Sequence, residues 1–359
     1  MTRVASFEIN YTRYLDPNGE VVGDLPEFAR DPAGLIPFYR DMVLTRLFDA
    51  QAINLQRTGR LGTYASSEGQ EASMIGIGRA MRPEDVLFPT YREHGIYLAH
   101  GVTMTEILVY WGGNESGMNF ANARDDFPVS IPIATQVTHA AGAAFAFKYR
   151  KQQRAAVPVC GDGATSKGDF YEGLNAAGVW NLPCVFAVIN NQWAISLPRS
   201  KQSACETMAQ KAIAAGIPGE QVDGNDVVAV YDRFSKALDK ARSGGGPTLI
   251  EPLTYRMRDH TTADDARRYR SDEELNQHKV LDPIKRLKTY LLAQNAWSEQ
   301  QDEALMVEIQ AAIEVSVKEY LDTPPRDAHT IFDCLYEILP RAYAGQADSL
   351  RAHEETNNG

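Results

Sequence analysis

The stretch that most constrains this chain runs from Ala155 to Asn191. It opens on the apolar run "AAVPVC" and crosses the helical pattern "GDFYEGLNAAGVW". It closes on the β-branched run "CVFAVI", which ends in Asn190-Asn191. Two apolar runs joined through a helix make a strand–helix–strand unit, and such units build parallel sheets through right-handed crossovers. A second unit follows: the strand "GEQVDG", the helix "DVVAVYDRFSKALDKAR", the turn "SGGGP" and the strand "TLIEPLTYR". This alternation predicts an α/β fold with a doubly wound, mostly parallel sheet flanked by helices.

The flanks read differently. Residues 1–35 are rich in Pro, Gly and Asp, and predict an extended N-terminal arm, lying on a partner. The α/β domain is expected over 36–275 and a helical extension over 276–345. A tail is expected over 346–359, with its last stretch, "HEETNNG", disordered. Within the extension, "PIKRLKTYLLAQ" predicts one helix, and Ser298 with Gln301 caps another of about 20 residues. "TIFDCLYEILPRAY" predicts a last amphipathic segment, and "MRDHTTADDARRYRSDEE" a long polar loop.

The ends of the two central strands raise the question of chemistry. In a parallel sheet all carboxyl ends lie on one edge, where ligands bind. If the strand ending at Gly161-Asp162-Gly163 neighbours the one ending at Asn190-Asn191, they lie about 4.8 Å apart. A carboxylate from Asp162 and an amide oxygen from Asn191 then form half a shell for a hard cation such as magnesium, with the Trp193 carbonyl a third donor. The glycines beside Asp162 admit a phosphate, and the following helix N-terminus favours one. Either piece alone reads as a turn or a strand terminator; the pair, on successive strand ends, points to a magnesium–diphosphate clamp. No G-x-G-x-x-G joins a strand to a helix, and "GATSKG" does not match the P-loop.

Charge and targeting narrow the partners. The net charge of −11 argues against a general nucleic-acid or anionic-membrane binder. "MTRVASFEIN" lacks the apolar core of a signal peptide, so a cytoplasmic protein is expected. Cys160, Cys184, Cys205 and Cys334 form no C-x-x-C pair and are expected as reduced thiols. Among the histidines, His260 sits in the polar loop. His94 and His139 are expected to be structural, and His100, His278, His329 and His353 to lie on the surface.

"GDGATSKGDFYEGLNAAGVWNLPCVFAVINNQWAIS" resembles the thiamine-diphosphate motif, which begins Gly-Asp-Gly and closes Asn-Asn. More narrowly, the chain resembles the alpha subunits of heterotetrameric 2-oxo acid dehydrogenases, through "GRLGTYASSEGQEA", "FPTYREHG", "IATQVTHAAGAAFAFK", "YRMRDHTTADDARRYRS" and "DPIKRLKTYLL". The resemblance implies that Asp162, Asn191 and the Trp193 carbonyl hold magnesium. It implies that Gly161, Gly163 and Ala164 line the diphosphate, that Tyr91, Arg92 and Arg256 reach its phosphates, and that the Ile131 and Ile133 backbone lies against the aminopyrimidine. Ser130, Pro132, Thr135 and Gln136 correspond to a potassium loop of the branched-chain relatives. His260 corresponds to an active-site histidine, on a loop that orders when cofactor binds. Its neighbour is Thr261 where mammalian relatives carry a regulatory serine, and Asp264 and Asp265 are expected to pair with Arg267, Arg268 or Arg270.

The implied activity is oxidative decarboxylation of a 2-oxo acid and transfer of the acyl group to a lipoyl acyltransferase core. The glutamate that activates the cofactor is implied to come from a beta subunit in an α2β2 assembly. "GDFYEGLNAAG" and "AQKAIAAGIPG" lean toward pyruvate; a branched-chain 2-oxo acid and acetoin are the alternatives. A non-catalytic protein holding a phosphorylated ligand is the reading from another class.

Overall fold

The computed structural model describes residues 1–327, 330–333 and 335–357, without the side chains of 354–357. His329 and Cys334 therefore lie outside the described residues.

Six parallel strands form the sheet: β1 (Tyr11–Thr12), β2 (Val86–Phe88), β3 (Ala156–Gly161), β4 (Val185–Ile189), β7 (Gly219–Asp223) and β8 (Thr248–Leu253), in the spatial order β1-β7-β8-β4-β3-β2. Two further short strands, β5 (Trp193–Ala194) and β6 (Leu197–Pro198), make a separate antiparallel hairpin. The central strands are apolar on both faces because helices cover both. Val157, Val159, Val185, Ala187 and Ile189 join one core; Ala156, Cys160, Phe186 and Val188 join the other. This is the period-two alternation of a strand buried on each side.

The first core is closed by the helices Ile36–Arg57, Glu71–Ala80 and Val227–Arg242. The C-terminal helices Pro283–Ala293 and Glu299–Asp322 complete it: Leu287, Leu291, Leu305, Ile309 and Ile313 lie in that same cluster. The second core is closed by Thr135–Tyr149 and Gly168–Val179. Small residues are used at these contacts. A Cβ on Gly173 would stand 2.7 Å from a Val137 methyl, so only glycine permits that approach.

Four expectations change. The N-terminal arm docks from Tyr11 onward on its own sheet, where β1 pairs in register with β7. Asp226 fixes it, accepting the Tyr14 and Leu15 amides at 2.6 and 2.8 Å while capping the Val227–Arg242 helix with its other oxygen. The end of the polar loop is a helix, Asp272–Lys279, capped by Ser271. "TIFDCLYEILPRAY" gives a single turn at Thr330–Asp333, and a helix, Arg341–Asn357, occupies much of the region expected as a tail. His100 and His278 are not free surface histidines. His100 bonds Asp126 at 2.8 Å, and His278 stacks on Tyr255 with ring centres 3.7 Å apart. No helix among the described residues is long and apolar enough to cross a membrane.

Candidate active site

Strands β3 and β4 are neighbours, with Gly161 opposite Ile189. The chain leaves β3 through a tight turn, Asp162–Ser166, and places Asp162 at the sheet edge. Gln202 clamps this turn, donating to the carbonyls of Asp162 and Gly163 at 2.9 and 3.0 Å. Asp162 is 1% exposed, yet neither carboxylate oxygen has a hydrogen-bond partner. Burial pushes its carboxyl up to about 6, against the backbone dipoles of its own turn and the Arg256 charge. Buried charges are ordinarily paired or bound to a metal, so this carboxylate is an acceptor without a donor.

The two asparagines separate in role. Asn190 is braced on all sides: its amide donates to Glu251 at 2.6 Å, and its side-chain oxygen accepts from Gln192 at 3.0 Å. Asn191 donates to Gln70 at 3.1 Å, which aims its oxygen the other way; that oxygen accepts only the Trp193 amide, at 3.2 Å. Trp193 stands opposite Pro198 in the hairpin, and proline has no N–H to offer the Trp193 carbonyl. Gly163 is cradled, since a Cβ there would meet the Ala194 Cβ at 2.8 Å, whereas nothing lies closer than 4.0 Å to a Cβ on Gly161.

These residues open on a cavity of about 250 Å³, lined by Gly161, Asp162, Gly163, Ala164, Asn191 and Trp193 from the sheet edge. Tyr91, Arg92 and His260 line the opposite wall, with Ile133 beside them. Arg92 donates to the His260 carbonyl at 2.8 Å and faces its Nδ1 at 3.2 Å. Arg256, 1% exposed, donates to the Ile195 carbonyl and the Tyr269 hydroxyl, both at 2.8 Å, and stands 3.4 Å from the same Nδ1. Two guanidiniums only donate, so Nδ1 accepts and the ring proton sits on Nε2. Burial and then the Arg92 and Arg256 charges push His260 down to about 4, with Asp264 opposing. Burial likewise pushes Arg256 down to about 10, helped by Arg92.

The loop carrying His260 is held by its own side chains. Asp264 accepts the His260 amide at 2.9 Å and the Tyr269 hydroxyl, where an arginine partner was expected. Asp265 does pair with Arg267, at 2.8 Å on the surface. Arg270 holds the Met257 carbonyl at 2.9 Å.

In the expected potassium loop, the Thr135 amide bonds the Pro132 carbonyl at 3.2 Å, and the Ser130 hydroxyl reaches that carbonyl at 3.5 Å. Gln136 donates to the Val159 carbonyl at 2.8 Å, which leaves its Oε1 buried and without a donor. The Ile131 side chain, 55% exposed, does not line the cavity.

Several lining residues went unrecognised in the sequence: Gln70, Met74, Thr90, Glu93, Cys160 and Ile195. Gln70 matters most, since its Nε2 is buried and unpartnered while its Oε1 fixes Asn191. Glu93 is fully engaged by Thr90 and the Arg92 amide. The signal for Gln70 lay in "SSEGQEA", a polar run that leads straight into the buried Glu71–Ala80 helix.

Residues 39–329 match the family described as the dehydrogenase E1 component. The chain is 44% identical over 314 residues to a 3-methyl-2-oxobutanoate dehydrogenase subunit alpha of Mycobacterium tuberculosis, covering 88% of this chain and 86% of that one. It is 40% identical over 343 residues to a pyruvate dehydrogenase E1 component subunit alpha of Staphylococcus aureus, covering 95% and 92%. A match spanning five of the six sheet strands, the strand ends at Asp162 and Asn191 and the His260 loop is decisive: the chain belongs to the dehydrogenase E1 component family.

Proposed function

We propose that this chain is the alpha subunit of a 2-oxo acid dehydrogenase E1 component that holds thiamine diphosphate and magnesium at the edge between β3 and β4. The observation that carries the reading is Asp162: a buried carboxylate with two unpartnered oxygens, beside an amide oxygen aimed by Gln70. One carboxylate, one amide and one carbonyl suit magnesium, which completes its shell with phosphate oxygens and water. When bound, thiamine diphosphate would supply a nucleophilic carbanion and an electron sink for decarboxylation of a 2-oxo acid.

The chain's own residues then have distinct tasks. Asp162, Asn191 and the Trp193 carbonyl hold the metal. Gly161, Gly163 and Ala164 let the backbone approach the diphosphate, and Tyr91, Arg92 and Arg256 answer its charge. The Ile131 and Ile133 backbone lies against the aminopyrimidine. His260, neutral with its proton on Nε2, can donate a hydrogen bond from that nitrogen to a reacting oxygen or sulfur. Gln136 with Ser130, Pro132 and Thr135 offers oxygen donors to potassium, which the unpartnered Gln136 Oε1 supports.

Among the carboxylates of the cavity wall, Asp162 faces the metal and Glu93 is engaged by Thr90. On this reading the acid that activates the cofactor comes from a beta subunit, as the resemblance to the alpha subunits implies, in an α2β2 assembly that passes the acyl group to a lipoyl acyltransferase core. The protein works in the cytoplasm on this reading.

Pyruvate is the first substrate to test. The higher identity to the branched-chain relative favours 3-methyl-2-oxobutanoate as the second reading. The assay combines the chain with its beta subunit, thiamine diphosphate and magnesium, and compares pyruvate, 3-methyl-2-oxobutanoate and acetoin. Turnover of a 2-oxo acid is the expected result. Cofactor binding with no turnover of any of the three would replace the enzyme by a non-catalytic ligand-binding protein.

A further inference from the structure

Asp49 lies on the Ile36–Arg57 helix, 1% exposed, and is not one of the residues of the cavity wall. It is a buried carboxylate with no cation among its hydrogen-bond partners. Four donors saturate it. Ser66 Oγ gives to one oxygen at 2.6 Å. The Ser67 amide, the Ser67 hydroxyl and the Tyr64 hydroxyl give to the other at 2.7, 3.0 and 3.2 Å. All four come from a single stretch, residues 64–67, which has no helix or strand of its own. Without Asp49 that stretch would carry several buried donors and no acceptor.

The same stretch is the bed of the His260 loop. The Ser66 carbonyl accepts from Arg92, whose other nitrogen holds the His260 carbonyl and faces its Nδ1. The Tyr64 amide and carbonyl pair with the Thr262 hydroxyl and amide at 3.0 and 2.8 Å. Two independent supports of His260 thus rest on four residues, and those four rest on one carboxylate. A further chain buttresses it. The Trp111 indole donates to His94 Nε2 at 3.0 Å, so Nδ1 carries the proton and donates to the Tyr64 hydroxyl at 3.0 Å. The His94 ring also stacks on Tyr64, at 4.8 Å and 12°.

We infer that Asp49 is a positioning residue for His260, acting through residues 64–67 and Arg92. The importance of His260 to the reaction rests on the function proposed above; the mechanical coupling from Asp49 to the loop does not. Removing the acceptor frees the 64–67 stretch, loosens both supports and lets the loop open.

Limited trypsin digestion of the full-length chain reads this directly, because Arg267 and Arg268 are exposed on the loop. Proteolysis follows the population of the open form. Asp49→Asn keeps the shape but turns an acceptor into a donor, so loop cleavage should accelerate roughly ten- to a hundredfold. Tyr64→Phe and Ser66→Ala each remove one of the four bonds to Asp49, together with the bond the hydroxyl accepts from His94 or from the Glu68 amide, and should give roughly two- to tenfold. In the assembled enzyme, kcat should fall in the same order across the three variants, with KM for the 2-oxo acid little changed. Circular dichroism and thermal melting report whether each variant is folded. If Asp49→Asn does not fold, the two milder variants carry the test. Folded variants with wild-type loop cleavage overturn the coupling. Accelerated cleavage in a protein that turns over no 2-oxo acid upholds the coupling and overturns the proposed function instead.

Discussion

Asp162 and Asp49 are both 1% exposed, and burial raises the pKa of both. They differ in what surrounds them. Asp49 faces four donors from one stretch of chain; Asp162 faces none. A saturated buried carboxylate is part of the structure, since its donors need it as much as it needs them. An unsaturated one is a cost the fold carries until something else arrives. Polarity and burial alone do not separate the two cases; the census of partners does.

The comparison breaks if both residues respond alike to substitution. Asp49→Ala should lower stability by about 2–4 kcal/mol, because the Ser66, Ser67 and Tyr64 donors lose their acceptor. Denaturant unfolding measures it. Asp162→Asn should act in the opposite direction, stabilising the ligand-free protein at pH 7 by about 1–3 kcal/mol while abolishing stabilisation by magnesium and thiamine diphosphate. Thermal melts with and without both ligands check it. A shared sign in ligand-free protein would show that the partner census is the wrong criterion.

The adjacent asparagines sharpen it. Asn191→Ala should weaken magnesium-dependent cofactor binding about tenfold and change ligand-free stability little. Asn190→Ala should do the reverse, costing about 1–2 kcal/mol through the lost Glu251 and Gln192 bonds. Titration calorimetry paired with unfolding separates them.

The smallest effect is a pH dependence. His260 is depressed from 6.5 to about 4, so in that window the unfolded chain binds a proton that the folded chain refuses. Its contribution to stability is therefore present above pH 6.5 and is lost as pH falls toward 4. Allowing for its partial exposure, the loss is about 1–2 kcal/mol. His260→Gln should flatten the acid side of the stability profile by that amount, and an unchanged slope would show that burial and the two arginines together do not depress the ring.

The parallel sheet and its edge were legible because local patterns carried them. The two central strands announce themselves as apolar runs, and Asp162 and Asn191 follow within two residues of their ends. Gln70 and Gln202 were not legible, since their partners lie 121 and 40 residues away and nothing local marks a glutamine as a clamp. The Asp272–Lys279 helix was missed for the opposite reason. It has almost no apolar face, although its Ser271 cap, its acidic first turn and His278 with Lys279 at its end were all in the sequence. Two-residue β1 has too little pattern of its own; Asp226 places it.

That last feature has a consequence for how the protein is born. The Tyr14 amide and Asp226 are 212 residues apart, and Asp226 also starts the helix that feeds β8. At ribosomal speeds of about 5–20 residues per second, the first strand waits roughly ten to forty seconds for its place in the sheet. Through that interval the segment around Tyr14 has no partner in the sheet, open to proteases and chaperones alike. The act that adds this edge strand to the sheet belongs to a segment made long before its partners.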